Sequence, residues 1–320
     1  MAIHTLENDT LKLIINELGG VIDAFQYTHN NKCNQGEEHA FNILRPRTKL
    51  SKNNAGEASM FPMVPMVNRI RGNSFEWLGH QITLPIHSQI DPDFFLHGDG
   101  WLTHWQLCRQ NQQELWLELA MTSDIKGVCH YQAKQRFQLE QDSLIVTMTV
   151  TNLSEEAFPF GAGFHPFFHC LPDTLVQFPA LGWWREDATY LPIDYTSAIP
   201  PIYSFERAKP IPKIWLNNGY RLDKSGVKAT LKHGNGLLVT LISPCNYLQV
   251  YKPIGPASFL CLEPQSQAVN AHACLSSFRT SNDNSIHESL GLTILAMHQS
   301  MQLTMTIKID SSLYRLNFNT

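Results

Sequence analysis

The chain of 320 residues is 43% hydrophobic and 16% charged, with Gly and Pro at 18 each, which excludes disorder and leaves ample apolar material for a core. A formal net charge of −4 supplies no basic surface for nucleic acid or an anionic membrane, so the expected partner is a neutral or small ligand. The opening MAIHTLENDTLKL has no basic-then-apolar leader, no stretch reaches the roughly 18 apolar residues of a membrane helix, and the seven scattered cysteines read as reduced thiols; together these predict a cytoplasmic protein.

Along the chain, the first segment with chemical content is Phe61-Pro62-Met63-Val64-Pro65-Met66-Val67-Asn68-Arg69-Ile70-Arg71-Gly72-Asn73, which sets an arginine between apolar neighbours. A guanidinium facing inward there offers fixed donors for ligand hydroxyls or for a carboxylate; an ordinary surface ion pair is the alternative. Leu96-His97-Gly98-Asp99-Gly100-Trp101 then joins a histidine to a glycine-rich turn and an aromatic ring, a weak signal alone. Two-residue alternation follows, with Tyr131 to Leu139 and Leu144 to Val150 flanking the polar run Glu140-Gln141-Asp142-Ser143, and it predicts a β-hairpin. Val227 to Leu231 and Leu237 to Leu241, on either side of His233-Gly234-Asn235-Gly236, predict another. No sustained helical period, internal repeat or linker interrupts this pattern. The expectation is an all-β chain forming one domain over residues 1–320, with a loop at 275–289 and a loosely held tail at 311–320.

Two further segments stand out. In Gly161-Ala162-Gly163-Phe164-His165-Pro166-Phe167-Phe168, an extended chain places Gly161, Gly163 and His165 on one face, leaving room beside the imidazole for a ligand; a bulge with a hydrogen-bonded core histidine is the alternative. In Ser258-Phe259-Leu260-Cys261-Leu262-Glu263-Pro264, Glu263 shares a face with Phe259 and Cys261, so desolvation would raise its pKa toward the range useful for proton transfer unless the strand simply surfaces there. A shared metal on His165 and His169 is disfavoured, because an extended chain would hold them about 13 Å apart.

In order and approximate spacing these segments resemble the aldose 1-epimerase (galactose mutarotase) family: FPMVPMVNRIRGN its apolar-proline run ending in N-R-I, LHGDGW its L-H-G segment, GFHPFF its G-x-H-P-[YF]-F segment and LCLEPQS its E-P segment. LKLIINELGGVIDAF is similar to its opening strands with their G-G turn. The resemblance implies a large antiparallel β-sandwich with a sugar in an open cleft and no cofactor or metal. It implies Glu263 as general base, His165 as general acid, and Arg69 and His97 as sugar-holding residues. Asn217, in Trp215-Leu216-Asn217-Asn218-Gly219, stands where well-known galactose mutarotases carry a sugar-binding aspartate, which implies a looser grip on the sugar and weaker selectivity. The rival readings are a non-catalytic sugar-binding protein and a hexose-6-phosphate 1-epimerase; Arg71 is the available extra cation for the latter.

Overall fold

A computed structural model describes residues 2–29, 39–48, 55–256, 258–275 and 290–314. The alternation read from the sequence becomes strand pairing. Cys129–Leu139 buries every second residue and pairs antiparallel with Ser143–Asn152, closing a hairpin at Leu139 opposite Leu144. Val227–Lys232 pairs likewise with Leu238–Ser243. Both predicted turns are closed by backbone hydrogen bonds, Glu140 N–H to Ser143 O at 2.9 Å and His233 N–H to Leu237 O at 2.9 Å.

Two large antiparallel sheets result. The larger follows the order Ile3–Glu7, Leu11–Asn16, Val21–His29, His39–Leu44, Gly163–His169, Phe259–Gln265, Tyr247–Lys252, Leu216–Arg221, Gly182–Glu186, Pro192–Thr196, with Met60–Met63 joined to both Gly163–His169 and Val21–His29. The second runs from Lys209–Pro210 through Leu175–Gln177, Val227–Lys232, Leu238–Ser243, Ser300–Asp310, Ser143–Asn152, Cys129–Leu139 and Trp116–Ile125 to Gln106–Asn111. Leu13, Phe25, Phe137 and Val146 are among the side chains that fill the space between the sheets.

The central strands of the large sheet bury both faces, which explains their nearly continuous apolar sequence. Phe164, Phe168, Leu260 and Leu262 enter the main core. Their alternate neighbours Phe167 and Cys261 turn to the opposite face and form a smaller apolar cluster with Phe61, Met63, Val67 and Trp101. This second cluster packs against the His165 ring through Phe61 and Phe167. Among the described residues no helix is long and apolar enough to cross a membrane. Of the loop expected at 275–289, Leu275 is instead a buried core residue, and 276–289 lie outside the described residues. Of the tail expected at 311–320, Tyr314 packs edge-on against Tyr27 with ring centroids 5.5 Å apart, and 315–320 lie outside the described residues.

Candidate active site

Antiparallel register brings the two strongest sequence candidates together. Gly163 pairs with Gln265 and Phe167 with Cys261, so His165, midway between them, falls opposite Glu263. Their side chains meet at 3.1 Å, His165 Nε2 to Glu263 Oε1, with 9% and 1% of their surfaces exposed. The other carboxyl oxygen accepts from Gln265 Nε2 at 3.2 Å. The imidazole stacks on Phe61, its cross-strand neighbour, at 4.4 Å and on Phe167, two residues along its own strand, at 4.6 Å. Burial in this apolar setting pushes the Glu263 carboxyl well above its usual range and lowers His165 to about 3. Both shifts favour a neutral pair sharing one transferable proton across a hydrogen bond.

The space expected beside the imidazole is filled by protein. A Cβ on Gly163 would lie 2.7 Å from the Met63 methyl, and one on Gly161 would lie 1.6 Å from Gln267 Oε1. Gly161 also precedes the strand rather than sharing its face. These glycines admit packing partners; the ligand space lies elsewhere, over the outer face of the sheet.

His97 reaches that face from a tight turn. Its φ is +62° and that of Gly98 is +72°; a Cβ at Gly98 would approach Val64 O to 2.2 Å, so glycine is required there. Asp99 fastens the turn to the second sheet by accepting from the Tyr131 hydroxyl at 2.6 Å. The Asn68 backbone N–H donates to His97 Nδ1 at 3.2 Å, which leaves Nε2 to carry the ring proton of a neutral imidazole. Burial, then the positive charge that His165 and Arg69 would bring, holds His97 well below its usual pKa. Its ring stands edge-on to His165 at 5.3 Å.

Of the two arginines in the apolar-proline segment, Arg69 faces the cleft. Its guanidinium donates to Asp91 Oδ2 at 3.1 Å and sits 5.3 Å from the Tyr190 ring centre. Arg71 turns away to Asp187 Oδ2 at 3.0 Å and Pro192 O at 3.2 Å, with half its side chain in solvent.

The remaining wall comes from the strand Leu216–Arg221 and its neighbours. Asn68, Arg69, Leu96, His97, His165 and Glu263 line a cleft with about 210 Å³ of free space, closed by Tyr190, Trp215, Asn217 and Tyr251. Asn217 thus lines the same cleft as His165 and Glu263. Its amide makes two protein contacts: Nδ2 donates to Glu186 Oε2 at 2.7 Å, and Oδ1 accepts from Gln249 Nε2 at 2.9 Å. Tyr251 is an aromatic residue that lines the cleft. Trp101 lies beneath Phe61 at 4.7 Å, Trp183 stacks on Tyr203 at 4.6 Å, and Trp184 lines a neighbouring recess. Sequence reasoning missed Asn68, Tyr190, Trp215 and Glu186. Trp215 was accessible through period two, since it shares a face with Asn217; Tyr190 and Glu186 arrive from a distant loop and strand end with no local signature.

Cys261 completes a group in which His165, Cys261 and Glu263 have ligating atoms within 4.8 Å of one another. The set suits a resident cation poorly. Burial holds the Cys261 thiol in its protonated form, Arg45 places positive charge beside it, and His165 Nε2 is engaged by Glu263. His169 faces the ring of Phe41 at 5.6 Å instead of joining His165. The six described cysteines are free thiols, and Cys33 lies outside the described residues.

Known proteins resemble this chain over nearly its whole length. The family model for aldose 1-epimerase matches residues 2–308. The uncharacterized protein YphB of Escherichia coli (strain K12) is 35% identical over 279 residues, 85% of this chain and 90% of its own. A solved structure from Escherichia coli K12, named provisionally as an aldose 1-epimerase, superposes with a TM-score of 0.82 at 31% identity, over 97% of this chain and 99% of the other. At 11% identity the aldose epimerase homologue of C. elegans shares the fold, with a TM-score of 0.78 over 97% of this chain and 98% of the other. The chain belongs to the aldose 1-epimerase family.

Proposed function

We propose that the protein is a mutarotase that interconverts the α and β anomers of a free aldose by general acid–base catalysis. The observation that carries this reading is the buried Glu263–His165 pair, 3.1 Å apart on the floor of a sugar-sized cleft. Opening a pyranose requires that the anomeric hydroxyl lose a proton while the ring oxygen gains one. These two oxygens are bonded to the same carbon, so a donor and an acceptor in direct contact can serve both. Once the shared proton lies on His165, Glu263 acts as base toward the hydroxyl and His165 as acid toward the ring oxygen. The open-chain aldehyde rotates about C1–C2, and ring closure runs the transfers in reverse. His97 Nε2–H and the Arg69 guanidinium hold hydroxyls of the substrate, and Tyr251 and Trp215 offer apolar faces to its ring.

A free sugar is favoured over a phosphorylated one because the spare cation, Arg71, is directed away into its contacts with Asp187 and Pro192. A purely sugar-binding protein has no need of a carboxyl buried at 1% exposure beside an imidazole, since a solvated carboxylate would accept from a sugar hydroxyl without that cost to the fold. Polarimetry of freshly dissolved α-glucose, α-galactose and their 6-phosphates tests the reading. Accelerated decay of rotation with a free aldose supports it. Binding without acceleration replaces it with the lectin-like function, and acceleration of the phosphates alone moves the assignment to the hexose-phosphate class.

A further inference from the structure

Glu186 ends the strand Gly182–Glu186, where pairing with Pro192–Thr196 slips by one residue between Arg185 and Glu186. Slips of this kind re-aim the side chain beside them. Its carboxylate accepts from two residues that line the cleft, Trp215 Nε1 at 2.8 Å and Asn217 Nδ2 at 2.7 Å. From the other side Gln249 Nε2 donates to Asn217 Oδ1 at 2.9 Å. The Glu186 carboxylate fixes the orientation of the amide, because a flip would set the Asn217 oxygen against it. One Nδ2 hydrogen goes to Glu186, and the second is left to serve the cleft.

We propose that Glu186 is a positioning residue that sets sugar preference, fixing Asn217 as a hydrogen-bond donor toward a substrate hydroxyl and locking the Trp215 ring beside it. The carboxyl at this corner of the site belongs to Glu186, and Asn217 presents an N–H that it orients. This deepens the mutarotase reading and rests on it for the identity of the ligand.

The hydrogen-bond pattern makes the assignment testable by exchanging the two groups. Asn217→Asp alone sets two carboxylates against each other at hydrogen-bond distance. Glu186→Gln alone can accept from only one of Trp215 and Asn217, so one donor faces another. In the double variant Glu186→Gln/Asn217→Asp every bond is restored: the new amide accepts from Trp215 and donates to the new carboxylate, which also accepts from Gln249. The cleft then meets an acceptor where it met a donor.

The experiment measures kcat/KM for fresh α-glucose and α-galactose, together with calorimetric Kd for both sugars, in the wild type, the two single variants and the double. Each single variant is expected to lose about tenfold in kcat/KM for the better sugar, mostly through KM, the scale of one charge-assisted hydrogen bond. The double variant should recover most of that loss while its galactose-to-glucose ratio shifts at least threefold from wild type, on the order of a neutral hydrogen-bond exchange. Losses that simply add in the double variant, or a ratio unchanged in all four proteins, would overturn the proposal. Should the wild type bind sugars without turnover, the epimerase reading fails while the Kd ratios still decide the role of Glu186. Absence of both binding and turnover would overturn both.

Discussion

Glu263 and Glu186 stand on the same sheet within reach of one cleft, yet their surroundings give them different chemistry. Glu263 is fully buried above an apolar cluster, with an imidazole and one amide as partners. Burial dominates there, and the carboxyl is driven toward its neutral form. Glu186 is half-buried and accepts from an indole and an amide, while Arg69 lends it positive potential. Burial still raises its pKa, but the two donors and the arginine oppose the rise. In the proposed mechanism the carboxyl set against apolar rings and a neutral base is the proton carrier, and the one surrounded by N–H donors is the fixed anchor. The proposed division of labour between acid–base chemistry and recognition follows from that difference.

The largest expected effect separates the two residues kinetically. Glu263→Gln and His165→Asn should each lower kcat by at least about 10²-fold with the fold intact, the scale of losing one general acid–base group. Glu186→Gln should act mainly on KM. A folded Glu263→Gln protein with near-normal kcat in polarimetry would remove Glu263 from the chemistry and erase the contrast.

Next in size is Arg69, which the geometry connects to both corners through its position over the cleft and its electrostatic effect on both carboxyls. Arg69→Ala should raise KM by about tenfold or more, because a charged donor to a sugar hydroxyl is lost. Asp91→Asn, which loosens the guanidinium without removing it, should have a smaller effect on the same parameter. Equal effects of the two substitutions would mean that Arg69 contributes through structure rather than through contact with the sugar.

A smaller effect is expected on stability as a function of pH. Burial lowers His165 to about 3 and His233 and His272 to about 4, from an ordinary value of 6.5, and lowers His97 as well. Groups with depressed pKa values bind fewer protons when folded, so their contribution is complete above pH 6.5 and is lost as pH falls toward 4 and then 3. Glu263 has the opposite sign, its raised pKa weakening the fold as pH rises above about 4.5. Five lowered imidazoles, His169 included, together with the lowered carboxyls Glu17 and Asp187 outnumber the raised carboxyls Glu263, Glu186 and Asp99, so the net is a loss on acidification, and Tm should fall between pH 6.5 and 4. A Tm that is flat or rising on acidification over that interval would contradict neutral burial of these histidines.

Much of this was legible in the sequence because strand periodicity is local. Both hairpins, and the shared face of Phe259, Cys261 and Glu263, follow from alternation alone. The joining of His165 to Glu263 was not local; it depends on the register of strands nearly a hundred residues apart, and the family resemblance supplied what periodicity lacked. The glycines beside His165 were misread because an absent side chain looks the same in sequence whether a ligand or Met63 fills the space. Asn217 lines the cleft, and its partners Glu186 and Gln249 come from other strands, so the orientation of its amide had no sequence signal.

The central claim is that environment makes Glu263 the proton carrier and leaves Glu186 the fixed anchor. Infrared difference spectroscopy at pH 6 tests it most directly, through the carbonyl band that only a protonated carboxyl shows. The band should be present in the wild type, retained in Glu186→Gln and lost in Glu263→Gln. A band that survives Glu263→Gln and disappears with Glu186→Gln, or a wild type without one, would contradict the account.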